Sequence, residues 1–396
     1  MKPDSPVNIM GDNQKKGMPG KKNILVVARW PLGGIRTYMK YVYQSISKEK
    51  YRITIVAPEV AESEAFEKDV KRLRLRLIKA NTLGGSAGLA IDVFKLLAKE
   101  KYSLIQSHGF ISALCAFLPG MLFGVPHVLT VHGMIEERLL GRGPQKTIRV
   151  FLLKSMIKKV ILYAVSNDIL QHVMQRLNLG KKEKLAVIHN GVDLNCFENE
   201  NTVSRERARD LLGLPQGKTV IGFVGRFMPQ KGFNYLIDAV DLLRSERKIR
   251  QFVVAAVGSG DYLKHYRSEV HKKQLDEYFL FVPFQSDMLP VYKAIDVLVM
   301  PSLWEAFPLQ PMEAMVNGTP IIVTDCIGLR ECVRGTPAVV IPKADPGAIA
   351  NAISNMKLDQ ARIEFSNFIP HAQKRFDVRV TARKVENLFD AYSISN

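Results

Sequence analysis

No two cysteines in the 396-residue chain are spaced as CxxC, and the four present (Cys115, Cys196, Cys326, Cys332) show no paired spacing. A disulfide frame and a cysteine zinc site lose their basis, and the thiols read as reduced, as in a cytosolic protein. The first 22 residues carry Gly, Pro and Lys but no apolar core, so they read as a mobile leader rather than a signal peptide. Neither GxGxxG nor GxxxxGK[ST] occurs, which removes support for dinucleotide and P-loop sites. There is no DxD in a suitable loop, no metal-ligand cluster, no internal repeat and no low-complexity tract. Acidic charge is scarce in one half. Residues 1–200 carry 31 Lys/Arg against 17 Asp/Glu, the remainder 25 against 21, for a net charge of +18. A basic half points to an anionic partner: lipid, nucleic acid or a phosphorylated substrate. Clustered arginines with exposed aromatics in a nucleic-acid module are not evident, so no nucleic acid is expected.

What is present is a chain long enough for two domains, with 47% hydrophobic and 24% charged residues. Phe110–Ile135 lacks Asp, Glu, Lys and Arg over a bilayer-spanning length. Pro119-Gly120, Gly124 and Pro126 interrupt it, so a helix over 109–122, a turn and the strand HVLTV are expected. Buried apolar runs alternate with helical patterns along the chain, the signature of doubly wound α/β units. NILVVA is a first strand, followed by the loop RWPLGGI and a helix from Arg36. Gly33 and Gly34 fit a turn, or a loop whose backbone approaches a phosphate. KRLRLRLIKA (71–80) alternates as a one-faced strand. His108 and His132 each end a strand. The helix after Pro144 places Ile148, Phe151, Leu152 and Ile157 on one side among Lys146, Arg149, Lys154, Lys158 and Lys159. That pattern suits an anionic membrane surface or ordinary core packing.

The second half restarts with VIGFVG, and Arg226 and Lys231 flank the loop after it. Two fixed cations there can neutralise a diphosphate. The most informative stretch is DVLVMPSLWEAFPLQPMEAMVNGTPIIVTD (296–325): strand, loop, helix, strand, the two strands being parallel neighbours. Glu305 and Glu313 are eight residues apart, about 12 Å along a helix, too far to share a proton or a metal. They can hold opposite ends of an elongated polar ligand with the helix N-terminus between them.

The stretch from Glu305 to Pro320 resembles the Glu-x7-Glu motif of retaining glycosyltransferases of the GT-B fold, family 4. The segment around Arg226 and Lys231 is similar to that family's Gly-Arg…Lys-Gly, which holds the donor pyrophosphate. The resemblance implies two Rossmann-like domains facing across a cleft. The first (23–198) is on the acceptor side and the second (199–370) on the nucleotide-sugar side, with 371–396 packing back on the first. It implies hexosyl transfer with retention from a nucleotide diphosphate sugar to an acceptor hydroxyl, in cell-surface glycan or glycolipid synthesis, without an obligatory metal or other cofactor. Glu305 would hold donor-sugar hydroxyls and His132 would contact the sugar. Glu313 would bind the ribose, and Arg226 and Lys231 the diphosphate. Gly33, Gly34, Gly258, Phe307 and Leu309 would line the donor. His108, Ser166, Asn190 and Phe284 are further candidates, although the family often has glycine where Pro283 or Phe284 stands. A lipid-linked or phosphorylated acceptor at the cytoplasmic membrane face would explain the basic half. A nucleotide-sugar epimerase or phosphorylase of the same fold, or a non-catalytic basic binder, stays as the alternative.

Overall fold

The computed structural model describes residues 20–60, 63–81, 85–180, 184–197, 203–245 and 251–394. The expected leader lies, up to residue 19, outside the described residues, as does the boundary expected at 198/199. The chain forms two parallel sheets with helices between the strands, a doubly wound α/β architecture.

The first sheet contains β1 (Lys22–Ala28), β2 (Tyr51–Pro58), β3 (Arg76–Ala80), β4 (Leu104–His108), β5 (His127–Val131), β6 (Ile161–Ala164) and β7 (Leu185–Val187). Their order is β3-β2-β1-β4-β5-β6-β7. The second contains β8 (Thr219–Val224), β9 (Phe252–Val257), β10 (Phe279–Val282), β11 (Val297–Met300), β12 (Ile321–Thr324) and β13 (Val339–Ile341), in the order β10-β9-β8-β11-β12-β13. Parallel strands covered on both faces read as unbroken apolar runs, and Ile24 to Ala28 accordingly have no exposure. Strand order reverses between β1 and β4 and again between β8 and β11. Crevices at the carboxyl ends of such strands are where open α/β sheets bind ligands.

Three expectations need correction. Residues 71–80 are not one strand: helix Ser63–Arg72 buries Phe66 and Val70, Arg74 turns the chain at φ 55°, and only Arg76–Ala80 pair with β2. The first helix begins at Gly33, not after the glycines, so Gly33 (φ 54°) and Gly34 form its first turn. Helix Pro144–Lys159 faces inward with Leu153, Met156 and Ile157, while Ile148, Phe151 and Leu152 face out. Phe110–Leu122 and His127–Val131 are helix and strand as expected, and among the described residues no helix is long and apolar enough to cross a membrane.

The halves are stitched by the C-terminal helices. Val192 N donates to the Phe376 carbonyl at 2.7 Å, and Val378 N donates back to the Val192 carbonyl at 3.0 Å. Helix Val378–Tyr392 then returns to the first sheet, where Glu386 accepts from Ser47 N at 2.6 Å and Phe389 meets the Tyr51 ring edge-on. Within the second half, Asp296 forms a buried knot, its carboxylate out of water. It accepts from Val220 N at 2.7 Å and from Arg209 at 2.8 Å, and it also pairs with Arg205 and Arg362. Arg209 is equally buried and donates to the carbonyls of Ala294, Pro215, Gln216 and Lys218. Removing one partner of such a cluster strands a buried charge. Asp296→Ala is therefore expected to cost about 3–5 kcal/mol of unfolding free energy in urea titration, and a change within experimental error would contradict this account of the knot.

Candidate active site

The carboxyl ends of β8 and β11 meet where the second sheet reverses order. β8 runs into Gly225-Arg226 and β11 into Pro301–Phe307. Lys231, at the end of a short 3-10 turn, reaches across to Glu305, with Nζ 2.7 Å from Oε1. Ser302 Oγ donates to the same carboxylate oxygen at 2.8 Å. Both ends of the pair are largely withdrawn from water, with 12% and 7% side-chain exposure, so the contact is far less screened than a surface pair. Arg226 is more exposed and only loosely tied, 4.0 Å from the solvent-exposed Asp261. Gly258 closes the floor: a Cβ there would lie 2.0 Å from the Gly225 carbonyl oxygen, so only glycine lets the two strand ends pass. The resulting crevice holds one loosely tied guanidinium and one ammonium paired within it.

Glu313 stands one helix away, on Leu309–Val316, and is 5% exposed. Tyr292 donates to its Oε2 at 2.8 Å, and Tyr41, from the first half, to its Oε1 at 3.4 Å. Burial raises its carboxyl above the usual 4.5, although the two tyrosines and Lys40 pull the other way. Both oxygens therefore already carry protein donors.

The loop carrying Glu305 is pinned from the first half. Ser166 caps helix Asn167–Arg176 and also donates to the Ala306 carbonyl at 2.7 Å. Asn190 Nδ2 donates to the Phe307 carbonyl at 2.7 Å, and its buried Oδ1 has no partner among the described residues. Phe307 is buried against the His189 ring, stacked at 4.5 Å. Ser166, Asn190 and Phe307 thus brace this loop, and Leu309 is buried behind it. Glu331 completes the brace by accepting from the Asn167 and Asp168 backbone amides and from Asn167 Nδ2, at 2.8–3.0 Å, with His189 Nε2 at 2.7 Å. Burial alone would raise its carboxyl, but His189 and these amides at a helix N-terminus hold it near 2.

His132 and His108 form one unit. His108 Nδ1 and His132 Nε2 are 2.7 Å apart, and His108 Nε2 is 2.7 Å from the Tyr43 hydroxyl. With Gln106 donating to Thr130, Tyr43 gives its proton to Gln106 Oε1 and accepts from His108 Nε2–H. His108 Nδ1 then accepts from His132, which leaves His132 Nδ1 as an open acceptor. Burial depresses both imidazoles, His132 to about 3, so both are neutral. His108 is 3% exposed and acts behind His132 rather than in the crevice. Gly133 abuts the Trp304 ring, which brings the end of β5 against the loop of Glu305. Gly33 and Gly34 would have no neighbour within 4 Å of a Cβ, so packing does not demand glycine there. Phe284 is 57% exposed. Among the described residues no group of three His, Cys, Asp or Glu could hold a metal. Sequence reasoning missed Tyr41, Tyr292, Ser302, His189 and Glu331, whose partners are mostly remote in the chain.

Residues 204–375 match the family described as Glycosyl transferases group 1, and residues 32–195 match Glycosyltransferase Family 4. The chain belongs to the family 4 glycosyltransferases. An Escherichia coli relative named UDP-Gal:alpha-D-GlcNAc-diphosphoundecaprenol alpha-1,3-galactosyltransferase is 28% identical over 75% of this chain and 77% of its own. A D-inositol 3-phosphate glycosyltransferase of Corynebacterium glutamicum is 27% identical over 90% and 91%. The crystal structure of Anabaena HepE in complex with UDP-glucose superposes with a TM-score of 0.77 at 20% identity, over 93% of this chain and 99% of that one. The fold is therefore GT-B, and the protein is a glycosyltransferase enzyme.

The buried Glu313 gives a prediction with a definite sign. A carboxyl raised by folding stabilises the fold only while protonated, and that contribution is lost as pH rises through the raised value. Glu313→Gln should therefore need more urea to unfold than the wild type at mildly alkaline pH, the gap closing in acid. An equal or lower midpoint at alkaline pH would contradict it.

Proposed function

We propose that this glycosyltransferase moves a hexosyl unit from a nucleotide diphosphate sugar to an acceptor hydroxyl, with retention at the anomeric carbon. The observation that carries the reading is the convergence of Lys231, Glu305 and Arg226 where the second sheet reverses order. An exposed guanidinium and an ammonium one hydrogen bond from a carboxylate suit a diphosphate joined to a polyhydroxylated ring. The name of the Escherichia coli relative and the UDP-glucose held by HepE support a nucleotide-sugar donor.

In the reaction the bond from the anomeric carbon to the diphosphate oxygen breaks, and its electron pair leaves with the diphosphate. Arg226 and Lys231 carry that growing charge with no obligatory metal or other cofactor. Glu305, displaced from Lys231 by the phosphate, accepts from the sugar hydroxyls near the reacting carbon. His132 Nδ1 accepts from another. Glu313 holds the ribose by exchanging one tyrosine contact. The acceptor oxygen bonds to the anomeric carbon, and its proton goes to a departing phosphate oxygen. Gly33, Gly34, Gly258 and Leu309 border the donor, and Phe284 stands at the base end. Both curated relatives are named for phosphorylated acceptors, which supports a phosphorylated or lipid-linked acceptor here, in cell-surface glycan or glycolipid synthesis.

The test supplies UDP-, GDP-, ADP- and TDP-hexoses with phosphorylated acceptors and follows the product by proton NMR. Transfer with the donor's anomeric configuration is expected, and Lys231→Ala should lower kcat by about 10²–10³-fold. An inverted product, an epimerised donor or phosphorolysis would overturn the reading.

A further inference from the structure

The outward surface of one helix layer is unusually apolar. Helices Gly85–Lys99, Phe110–Leu122 and Pro144–Lys159 pack side by side. Their inner residues, among them Val93, Ala116, Ala113 and Met156, join the core beneath the first sheet. On Phe110–Leu122 the residues Leu114, Leu118, Met121 and Leu122 fall on one helical stripe, yet that stripe faces solvent, with Leu118 61% and Leu122 65% exposed. On Pro144–Lys159 the residues Ile148, Phe151 and Leu152 form a second outward stripe, Phe151 being 67% exposed. Phe94 and Phe123, also exposed, meet ring to ring at 5.3 Å and join the first helix to the second. An apolar surface of this extent on a folded chain marks an interaction site.

Positive charge borders it. Lys158 and Lys159 are exposed at the end of the second stripe, where Lys159 continues the line of Phe151 and Leu152. Beside them opens a cavity of about 390 Å³, lined by Phe117, Met121, His127, Lys159 and Lys184. His127 is 6% exposed, and its Nδ1 has no hydrogen-bond partner among the described residues. The cavity thus combines two cations, Lys159 and Lys184, with an apolar wall of Phe117 and Met121.

We propose that this face docks on an anionic lipid bilayer: the two apolar stripes enter the interface, and Lys158, Lys159 and Lys184 meet headgroup phosphates, one of them at the cavity. Apolar insertion and several lysines together suffice for reversible surface binding without a spanning helix. The surface is the outer flank of the first sheet, so docking leaves the crevices at the strands' carboxyl ends open to small substrates.

The experiment is flotation with vesicles of phosphatidylcholine alone or mixed with phosphatidylglycerol, without any donor, so the outcome is independent of the transfer reaction. The wild type should float with the mixed vesicles and release at high salt. Leu122→Ser/Phe151→Ser and Lys158→Glu/Lys159→Glu should each bind at least about tenfold less, with unchanged thermal unfolding and unchanged donor turnover in solution. Absence of the wild type from both vesicle fractions would overturn the proposal, as would an apolar variant that floats like the wild type. A dimer in sedimentation velocity that the apolar variant abolishes would instead assign the face to a second copy and equally overturn it.

Discussion

A lysine ammonium and a glutamate carboxylate, both nearly out of water, meet at 2.7 Å where the second sheet reverses its strand order. Withdrawing two charges from solvent costs several kcal/mol per ion, and their attraction offsets this only with good geometry and further hydrogen bonds. Ser302 supplies one such bond, and the glycine crossing at 225 and 258 brings strand ends close enough to fix the partners. The arrangement is costly as scaffolding and useful as a site. On the proposed function, a phosphate entering beside Arg226 would give Lys231 a second anion and leave the carboxylate to accept from hydroxyls.

That pair is useful only if its loop is held, and the holding comes from the other half of the molecule. Ser166 and Asn190 each take a carbonyl of the Glu305–Phe307 segment, and Glu331 reaches back to cap the helix that Ser166 begins. A carboxylate at a helix N-terminus meets both free amides and the helix dipole, which is why Glu331 stays ionised despite burial. The same contacts bring β5, with His132 and its supporting His108, to the Glu305 loop. Neutral, hydrogen-bonded imidazoles at that point suit orienting a donor, in the proposed function, rather than delivering charge.

Much of this was legible in the chain. Strands β8 to β12 and the helix between β11 and β12 follow from apolar runs, prolines in a first turn and Asn317-Gly318 at the end, all local signals. Arg226, Lys231 and Glu305 could be named because each lies in a loop after a strand's carboxyl end, within a stretch resembling a family motif, and His132 because it directly follows β5. The misreadings are also physical. The alternating leucines of 71–80 satisfy a strand pattern, but Leu73 closes a helix before the chain turns at Arg74. The stripe of Ile148, Phe151 and Leu152 has helical spacing, and spacing alone does not say which of two apolar faces packs inward. Tyr41 and Glu313 are 272 residues apart and Ser166 and Ala306 140, so no window along the sequence contains both partners.

The most direct measurement is calorimetric titration of a nucleoside diphosphate and its hexosyl derivative into the wild type, Lys231→Ala and Glu305→Gln. If Lys231 serves the diphosphate and Glu305 the sugar, Lys231→Ala should weaken both ligands by about 10–100-fold, the scale of a charge-assisted hydrogen bond. Glu305→Gln should bind the free diphosphate at least as tightly as the wild type and lose the added affinity for the hexosyl form. Unchanged diphosphate affinity in Lys231→Ala would contradict the account at its centre.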